Sequence, residues 1–267
     1  MKWYEVPKKG ENPLDELLPD GGYTAIFRRI ACVGDSLSSG EFEALSADGN
    51  KSYHDIFEYS WGQFLARMTG STAYNFSRGG MSAKEYCESF AEANGFWDKD
   101  KACQAYIIAL GVNDILNAGQ EIGSTADIDL ENYENNAKTF AGYFGKIIQK
   151  YREIQPYARF FLVTMPKQGK DDEVRTQKKK AHAKLLHDFA KLFPYTYVVD
   201  LFEHAPVYDE AFVEKFFLFG HLNPAGYLLT AKMIATYIDH IVRSDFKAFK
   251  QVGMIERTQY YDPKLDE

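Results

Sequence analysis

The chain has 267 residues, of which 45% are hydrophobic and 26% are charged, a composition typical of one large globular domain or two small ones. The formal charge of −7 and the pI near 5.5 argue against nucleic acid as a partner, because nucleic-acid binding needs a concentrated basic face. Cys32, Cys87 and Cys103 form no C-x-x-C pair, so the sequence predicts buried thiols rather than a disulfide framework or a zinc site.

Five apolar runs of strand length follow one another along the chain, and amphipathic segments of helix length separate them. The predicted strands are 30–33, 73–76, 105–110, 160–165 and 197–201. The predicted helices are 56–68, 83–93, 130–154, 174–192 and 225–242. Because strands alternate with helices, and because the strands are apolar throughout, the pattern predicts an α/β fold with a parallel sheet covered on both faces.

No linker rich in proline, glycine or serine divides the chain, which favours a single domain. We assign it to 26–244, after an irregular leader at 1–25 and before a polar, tyrosine-bearing tail at 245–267. The start of the chain lacks a signal-peptide core, and no stretch approaches about 20 apolar residues, which together predict a cytoplasmic protein without a membrane segment. In a parallel sheet, sites form beyond the carboxyl ends of the strands, so the residues after each strand are the functional candidates.

The loop after the first predicted strand presents a serine at a sharp turn. Gly34 and Gly40 bracket this turn, and Ser36 lies near its start. A residue in such a turn is exposed rather than packed in the core. Ser36 is therefore our candidate nucleophile.

Three further turns carry polar groups that suit acyl transfer. Gly80 follows the second strand, Asn113 follows the third, and His221 lies before the last helix. Serine-based acyl transfer needs a base for the hydroxyl proton and donors for the charge that develops on the carbonyl oxygen. His221 would be the base, and the Gly80 N–H and the Asn113 amide would be donors. Gly79 is the alternative to Gly80.

These four segments resemble the conserved blocks of the GDSL-type, or SGNH, hydrolases over about 29–227. The matching residues are Gly34-Asp-Ser-Leu-Ser38, then Asn75, Ser77 and Gly80 in an N-x-S-x-x-G spacing, then Gly111-Val-Asn113-Asp114, and finally His221-Leu-Asn-Pro224. The resemblance implies a flavodoxin-like three-layer α/β/α sandwich with a five-stranded parallel sheet. It also implies ester hydrolysis without metal or cofactor, with Ser36 as nucleophile, His221 as base, and an oxyanion hole formed by Asn113 and the N–H groups of Ser36 and Gly80.

One position departs from the pattern of the resembled family. An aspartate usually lies three residues before the catalytic histidine and orients its ring, but Leu218 occupies that place here. Asp209, Glu210, Glu214 or a backbone carbonyl could orient His221 instead, or the enzyme could work with a Ser-His dyad. Asp200, after the last strand, is either a structural residue, which we favour, or a distant candidate for this acid. The sequence leaves these alternatives open.

The principal functional prediction is a serine esterase that cleaves a small acyl ester, with an O-acetyl group on a carbohydrate as one candidate substrate. A lipase, thioesterase or lysophospholipase on the same centre is a second alternative. A third is a non-catalytic carbohydrate- or ester-binding protein that has lost the triad acid. The expected partner is a small-molecule ester, with no nucleic acid and no membrane, and the sequence indicates no oligomeric state.

Overall fold

The computed structural model describes residues 6–266 of the chain. Its strands are β1 (Arg29–Gly34), β2 (Glu41–Leu45), β3 (Lys51–Asp55), β4 (Thr72–Ser77), β5 (Ala105–Ala109), β6 (Arg159–Val163), β7 (Thr196–Val199), β8 (Phe217–Leu218) and β9 (His221–Leu222). Its α-helices are α1 (Ser36–Ser39), α2 (Trp61–Thr69), α3 (Ala83–Glu85), α4 (Ala91–Ala93), α5 (Phe140–Ile154), α6 (Glu173–Leu192), α7 (Leu201–His204), α8 (Glu210–Phe216) and α9 (Pro224–Ser244).

Shorter helical segments complete the secondary structure. Two are π-helical, Tyr86–Phe90 between α3 and α4, and Val112–Asn117 after β5. The 3₁₀ segments are Gly22–Ile26, Phe57–Tyr59, Lys99–Lys101, Thr125–Asp127, Tyr133–Asn135, Phe246–Phe249, Val252–Met254, Thr258–Tyr260 and Pro263–Leu265. Within residues 6–266, no helix is both long enough and apolar enough to cross a membrane.

Five strands form one parallel sheet in the order β4-β1-β5-β6-β7. If the strands of this sheet are numbered by their order along the chain, the arrangement is 2-1-3-4-5, as in flavodoxin-like proteins. The strand order reverses between β1 and β5. The loops that follow β1 and β5 therefore flank the crevice in which such sheets bind ligands. The predicted three-layer α/β fold is confirmed.

Each face of the sheet is covered by its own apolar core. On one face, α2 and α9 pack over a cluster that includes Trp61 and Ile234. On the other face, α5, α6 and the α3–α4 segment pack over a cluster that includes Tyr106 and Phe144. Because the central strands are buried on both sides, they read as continuous apolar runs rather than as alternating ones.

The five predicted sheet strands are all present, each within two residues of its predicted ends. Two predicted helices begin later than expected because a capping side chain fixes each start. The Ser60 hydroxyl accepts the Gln63 N–H at 3.2 Å before α2, and the Thr139 hydroxyl accepts the Gly142 N–H at 3.1 Å before α5. The β2–β3 and β8–β9 hairpins were not predicted.

Both segments outside the predicted 26–244 domain pack against it where the structure describes them. In the leader, Glu11 pairs with Arg243 of α9 at 2.6 Å. In the tail, Tyr261 accepts a hydrogen bond at 2.8 Å from Arg159, whose side chain is fully buried. The first five residues of the leader and the last residue of the tail lie outside the described part of the chain.

The three cysteines are free thiols, as predicted. Cys32 and Cys103 are buried and Cys87 is partly buried. Burial raises the pKa of the Cys87 and Cys103 thiols to about 12. Thiolates are therefore scarce at neutral pH, which makes these side chains packing groups rather than nucleophiles.

Candidate active site

The candidate nucleophile lies directly beyond the carboxyl end of β1. Asp35 caps the short helix α1, and its carboxylate accepts the Leu37 N–H at 3.2 Å. Ser36 is the first residue of that helix, so its N–H has no partner within the helix. Gly40 ends α1 with φ +77°, a conformation that glycine adopts without strain. The turn thus presents both the hydroxyl and the N–H of Ser36.

Gly80 lies in the turn after β4 and is open toward its surroundings. Its φ is +72°, and an added Cβ would meet no atom within 4 Å. Its N–H makes no hydrogen bond within residues 6–266. The neighbouring Gly79 N–H is directed to Asp55 at 3.2 Å, which leaves Gly80 as the better placed donor of the two.

Asn113 lies on the π-helical turn after β5, and hydrogen bonds fix its amide. Its Nδ2 donates to the Met81 carbonyl at 3.0 Å, and its Oδ1 accepts from Asn117 at 2.8 Å. An amide nitrogen carries two hydrogens, so one N–H remains for a ligand. Because both other groups are engaged, the orientation of this N–H is set before any ligand binds.

Ser36, Gly80, Asn113 and His221 line one pocket of about 360 Å³. The remaining lining comes from the loops around the sheet edge and includes Asp35, Leu37, Glu41, Val112, Leu116, Asn117, Met165, Pro166, Gln168, Arg175, Lys179, Tyr208, Phe217 and Gly220. Within residues 6–266, the Ser36 hydroxyl makes no hydrogen bond to His221. The four predicted site residues therefore share one pocket, with the serine and histidine not yet hydrogen-bonded.

The two small hairpins surround His221. The histidine begins β9, and the β2–β3 hairpin packs against that strand. His221 Nε2 lies 2.9 Å from Glu41 Oε1, and Nδ1 lies 3.8 Å from Glu43 Oε2. The Tyr53 ring meets the imidazole edge to face, with the ring centres 5.9 Å apart. Glu41, Glu43 and Tyr53 were not predicted as neighbours of His221.

The acids proposed from the sequence have other positions. Asp209 caps α8 by accepting the Phe212 N–H at 2.9 Å, and Glu210 begins that helix. Within residues 6–266, the ion-pair contacts of His221 are to Glu41 and Glu43, and none is to Asp209, Glu210 or Glu214. Leu218 lies opposite His221 in the β8–β9 hairpin and is 41% exposed.

Another histidine in the described chain forms a shorter carboxylate contact. His187 Nε2 lies 2.7 Å from Asp200 Oδ2. Asp200 follows β7, where it also caps α7 and accepts the Thr164 hydroxyl at 2.9 Å. Neither residue lines the pocket of Ser36, so Asp200 is not the acid that faces His221.

The charges around His221 act in opposite directions on its pKa. Burial lowers the pKa of the imidazole, whereas the carboxylates of Glu43 and Asp55 raise it, and the net direction is down. Burial, together with Asp55 and Glu43, raises the pKa of Glu41. The hydrogen bond to Lys51 lowers the pKa of Glu43. His221 is therefore mainly neutral near pH 7, as a general base must be, with an ionised carboxylate at Glu43.

The sequence did contain a signal for the β2–β3 hairpin. Polar and apolar residues alternate from Glu41 to Ala44, and Asp48-Gly49 lies between this run and the mostly polar segment 51–55. An alternating run that leads into a loop with Asp-Gly indicates a hairpin. Since side chains two residues apart share a strand face, Glu41 and Glu43 would then have been placed together.

Beside the main pocket lies a smaller, mostly apolar cavity of about 80 Å³. Asp35, Leu37, Val112, Met165, Pro166 and Tyr208 line both. The floor of the smaller cavity includes Trp61, Leu201 and Ile234. Within the described residues, no group of three or more His, Cys, Asp or Glu side chains is arranged to hold a metal ion.

Asp35 gives a prediction about stability. Burial raises its pKa from 3.8 to about 7, and the carboxylates of Asp114 and Glu41 add to this. The folded protein thus holds this proton more tightly than the unfolded chain, so stability is lost as the pH rises from about 4 to about 7. At about 1.4 kcal/mol for each pKa unit, the ionised carboxylate costs the folded state roughly 4 kcal/mol above that range.

Asp35→Asn keeps the acceptor for the Leu37 N–H and removes the charge. We expect the variant to exceed the wild type in free energy of unfolding by a few kcal/mol near pH 8 and by much less near pH 4. Urea unfolding at several pH values measures this difference. A difference that stays constant with pH would show that Asp35 is not the titrating group.

Comparison with known proteins gives one family match and several structural matches. A sequence model of the GDSL-like Lipase/Acylhydrolase family matches residues 32–229. No curated protein matches the chain significantly. Among solved structures, a protein assigned to the lipolytic G-D-S-L family from Desulfitobacterium hafniense DCB-2 is 17% identical with a TM-score of 0.52, over 79% of this chain and 99% of that one.

Two carbohydrate esterases share the same fold. A family two carbohydrate esterase from Clostridium thermocellum, in complex with cellohexaose, is 17% identical with a TM-score of 0.54, over 80% of this chain and 64% of that one. A carbohydrate esterase family 2 enzyme with a carbohydrate binding domain, from Corynascus thermopiles, is 16% identical with a TM-score of 0.52. The match covers 79% of this chain and 65% of that one. At these identities the likeness extends to the fold.

Proposed function

The chain belongs to the GDSL-like lipase/acylhydrolase family, and we propose that it hydrolyses esters of short acyl groups through an acyl-enzyme on Ser36. One observation carries this proposal. Ser36, Gly80, Asn113 and His221 come from four separate loops and line one pocket. A nucleophile, a base and oxyanion donors are the groups that acyl transfer requires, and a pocket that only bound a ligand would not need them together.

In the proposed first step, the Ser36 hydroxyl gives its proton to His221 Nε2 while its oxygen attacks the acyl carbon. The charge that develops on the carbonyl oxygen would be stabilised by the N–H groups of Ser36 and Gly80 and by the free Asn113 N–H. When the tetrahedral intermediate collapses, the bond to the alcohol oxygen breaks. That oxygen takes the proton from His221, and Ser36 remains acylated.

In the second step, a water molecule gives a proton to His221 Nε2 and attacks the acyl carbon. The bond to the Ser36 oxygen then breaks, that oxygen recovers the proton, and the carboxylic acid leaves. Both steps require Nε2 to exchange its contact with Glu41, at 2.9 Å, for one with the serine or the water. Catalytic hydrogen bonds commonly form only when substrate is bound.

The size of the apolar cavity supports a short acyl group. Its volume of about 80 Å³ is small beside the about 360 Å³ of the main pocket. A cavity of this size suits a short acyl chain better than the long chain of a lipase substrate. The alternative of a lipase or lysophospholipase would need an extended apolar groove at the same place.

Exposed aromatic rings near His221 support a carbohydrate on the alcohol side. Tyr53 is 54% exposed and Phe219 is 51% exposed. Phe219 adopts φ +57°, an unusual backbone conformation that is found preferentially at functional sites. The carbohydrate esterases with the same fold suggest the same substrate class, so we propose O-acetylated carbohydrates as substrates.

A chain-length series tests the acyl preference. We expect p-nitrophenyl acetate and butyrate to be hydrolysed at least about tenfold faster, in kcat/KM, than the octanoate and laurate. Spontaneous hydrolysis in buffer is the control. An acetylated oligosaccharide compared with ethyl acetate then tests the alcohol side, and the sugar ester should have the higher kcat/KM.

The rival functions give different results in this series. Octanoate or laurate as the best substrate would favour the lipase alternative. If the protein hydrolyses no ester and a fluorophosphonate probe does not label it near neutral pH, a non-catalytic binding protein is favoured. A preference for ethyl acetate over the sugar ester would contradict only the carbohydrate part of the proposal.

A further inference from the structure

We propose that Glu43 is the positioning residue that orients His221 and stabilises its charged form, in place of the aspartate expected at position 218. This assignment rests on the proposed function, since it gives Glu43 a part in the same acyl transfer. The carboxylate reaches the histidine from the β2–β3 hairpin, which follows the nucleophile turn. Glu43 lies about 175 residues before the usual acid position in the sequence.

The first argument is the geometry at His221 Nδ1. This nitrogen is buried and has no hydrogen-bond partner within residues 6–266. Glu43 Oε2 lies 3.8 Å from it, close enough for an ion pair and slightly too far for a hydrogen bond. Hydrogen bonds of this kind are often long in the free enzyme and shorten in the complex with substrate. Once Nε2 turns to the serine and the ring proton lies on Nδ1, this buried N–H can close the remaining gap to the carboxylate.

The second argument distinguishes Glu43 from Glu41. Glu41 lines the substrate pocket and contacts Nε2, the nitrogen that must face Ser36. Glu43 does not line the pocket and lies on the opposite side of the imidazole, at Nδ1. In a serine hydrolase, the orienting acid binds the ring nitrogen that does not contact the nucleophile. Of the two carboxylates, only Glu43 has that position.

The third argument is that Glu43 is held in place. Its side chain is 3% exposed and contacts Lys51, which lies diagonally across the hairpin. Its Oε2 accepts the Gly220 N–H at 3.0 Å, in the residue before His221. A Cβ at Gly220 would lie 2.6 Å from the same oxygen, so a larger residue there would displace the carboxylate. Glu43 Oε2 therefore accepts a hydrogen bond from the turn before His221 and also faces the ring of that histidine.

The hairpin itself is anchored to the domain. Phe42 packs on Tyr227 of α9, with the ring centres 5.6 Å apart, and the Tyr227 hydroxyl donates to the Glu41 carbonyl at 2.6 Å. By contrast, Leu218 lies in a two-residue strand and is exposed. A carboxylate on the anchored hairpin is better fixed than one at position 218 would be.

The charged and titratable groups around the imidazole are Glu41, Glu43, Lys51, Tyr53 and Asp55, all from the same hairpin. Among them Glu43 raises the pKa of His221 most, and burial opposes it. Removal of this carboxylate alone should therefore lower the pKa of the base. A residue with a merely structural role would leave that pKa unchanged.

The test compares Glu43→Gln with the wild type. We expect kcat to fall by about 10²–10⁴-fold with little change in KM, because the amide no longer stabilises the imidazolium. The fall of kcat/KM on the acidic side of its pH profile, the acid limb, should move to lower pH. Glu43→Asp, which keeps the charge, should retain part of the wild-type kcat. Its acid limb should lie close to that of the wild type. Asp48→Asn removes the same charge from the exposed turn of the hairpin, and it should leave both quantities unchanged.

Circular dichroism and thermal unfolding must show that each variant is folded. A folded Glu43→Gln variant with the kcat and acid limb of the wild type would overturn the assignment. If that variant does not fold, Glu43→Asp decides, because retention of full kcat with the shorter side chain would also overturn it.

Failure of the proposed function gives a different result. The wild type would then hydrolyse no ester, and the assignment would be judged by NMR titration of the His221 ring. In that titration, the pKa of His221 should be lower in Glu43→Gln than in the wild type and unchanged in Asp48→Asn. An unchanged pKa in Glu43→Gln would overturn the assignment.

Discussion

Ser36→Ala should lower kcat for acetate esters by about 10⁴–10⁶-fold and leave the fold intact. The hydroxyl is the proposed nucleophile, so its loss removes the acyl-enzyme route and leaves only oxyanion stabilisation and binding. Within residues 6–266 the Ser36 hydroxyl makes no hydrogen bond to His221. Removal of the hydroxyl therefore costs His221 no hydrogen bond. Steady-state rates measure the loss. Intact mass after treatment with a fluorophosphonate should show one adduct on the wild type and none on the variant.

Ser38 provides a matched control for Ser36. It lies two residues later on the same helix, it is buried, and its hydroxyl has no hydrogen-bond partner within the described chain. Ser38→Ala should keep the activity and the labelling of the wild type, because removal of an unsatisfied buried hydroxyl is close to neutral for stability. Labelling that persists in Ser36→Ala, or that disappears in Ser38→Ala, would contradict Ser36 as nucleophile.

The sheet could be predicted from the sequence because its strands are buried on both faces. Each strand appears as an apolar run, and the helices between them keep a clear amphipathic period. The β8–β9 hairpin could not be predicted in this way, because its strands have two residues each and carry no period. In the β2–β3 hairpin only the first strand alternates, from Glu41 to Ala44, whereas 51–55 is exposed and resembles a polar loop.

Only those residues of the candidate site that lie in local turns were predicted from the sequence. Ser36, Gly80, Asn113 and His221 each follow or precede a regular element at a glycine turn, and the structure brings all four to one pocket. Their catalytic roles stay predictions. The surroundings of His221 could not be predicted, because Glu43 bonds the preceding Gly220 across 177 residues, through tertiary packing of the hairpin on β9. Proximity of this kind has no signal in one sequence.

The β2–β3 hairpin also breaks a rule of strand pairing, which fits a functional role. Glu41 and Asp55 lie directly opposite each other, and Glu43 is on the same face. Like charges in such positions destabilise a sheet. Partial compensation comes from Lys51 at Glu43 and from the Gly79 N–H at Asp55. Local rules are most often broken at functional sites, and here the excess negative charge surrounds the one histidine that would become positive during the reaction.

His221→Asn should lower kcat by about 10⁴–10⁶-fold, comparable with the loss of the nucleophile, because serine and base act as one unit. The wild type should also show a characteristic pH dependence. Only the neutral imidazole can take the serine proton, and burial keeps the pKa of His221 below its ordinary value of 6.5. The kcat/KM of the wild type should therefore stay high below pH 6.5 and fall only at more acidic pH, whereas the residual rate of the variant should lack this limb. Acetate release measured by chromatography follows both across the acidic range.

His187 is the matched control for His221, because it also contacts a carboxylate, Asp200, at 2.7 Å and yet lies outside the pocket. His187→Asn should keep the kcat and the acid limb of the wild type, since an amide can still bond to Asp200. A large loss of activity in His187→Asn, with His221→Asn near the wild type, would identify the wrong histidine as the base. An acid limb at or above pH 6.5 in the wild type would instead show that the surrounding carboxylates outweigh burial, since they favour the protonated ring and burial disfavours it.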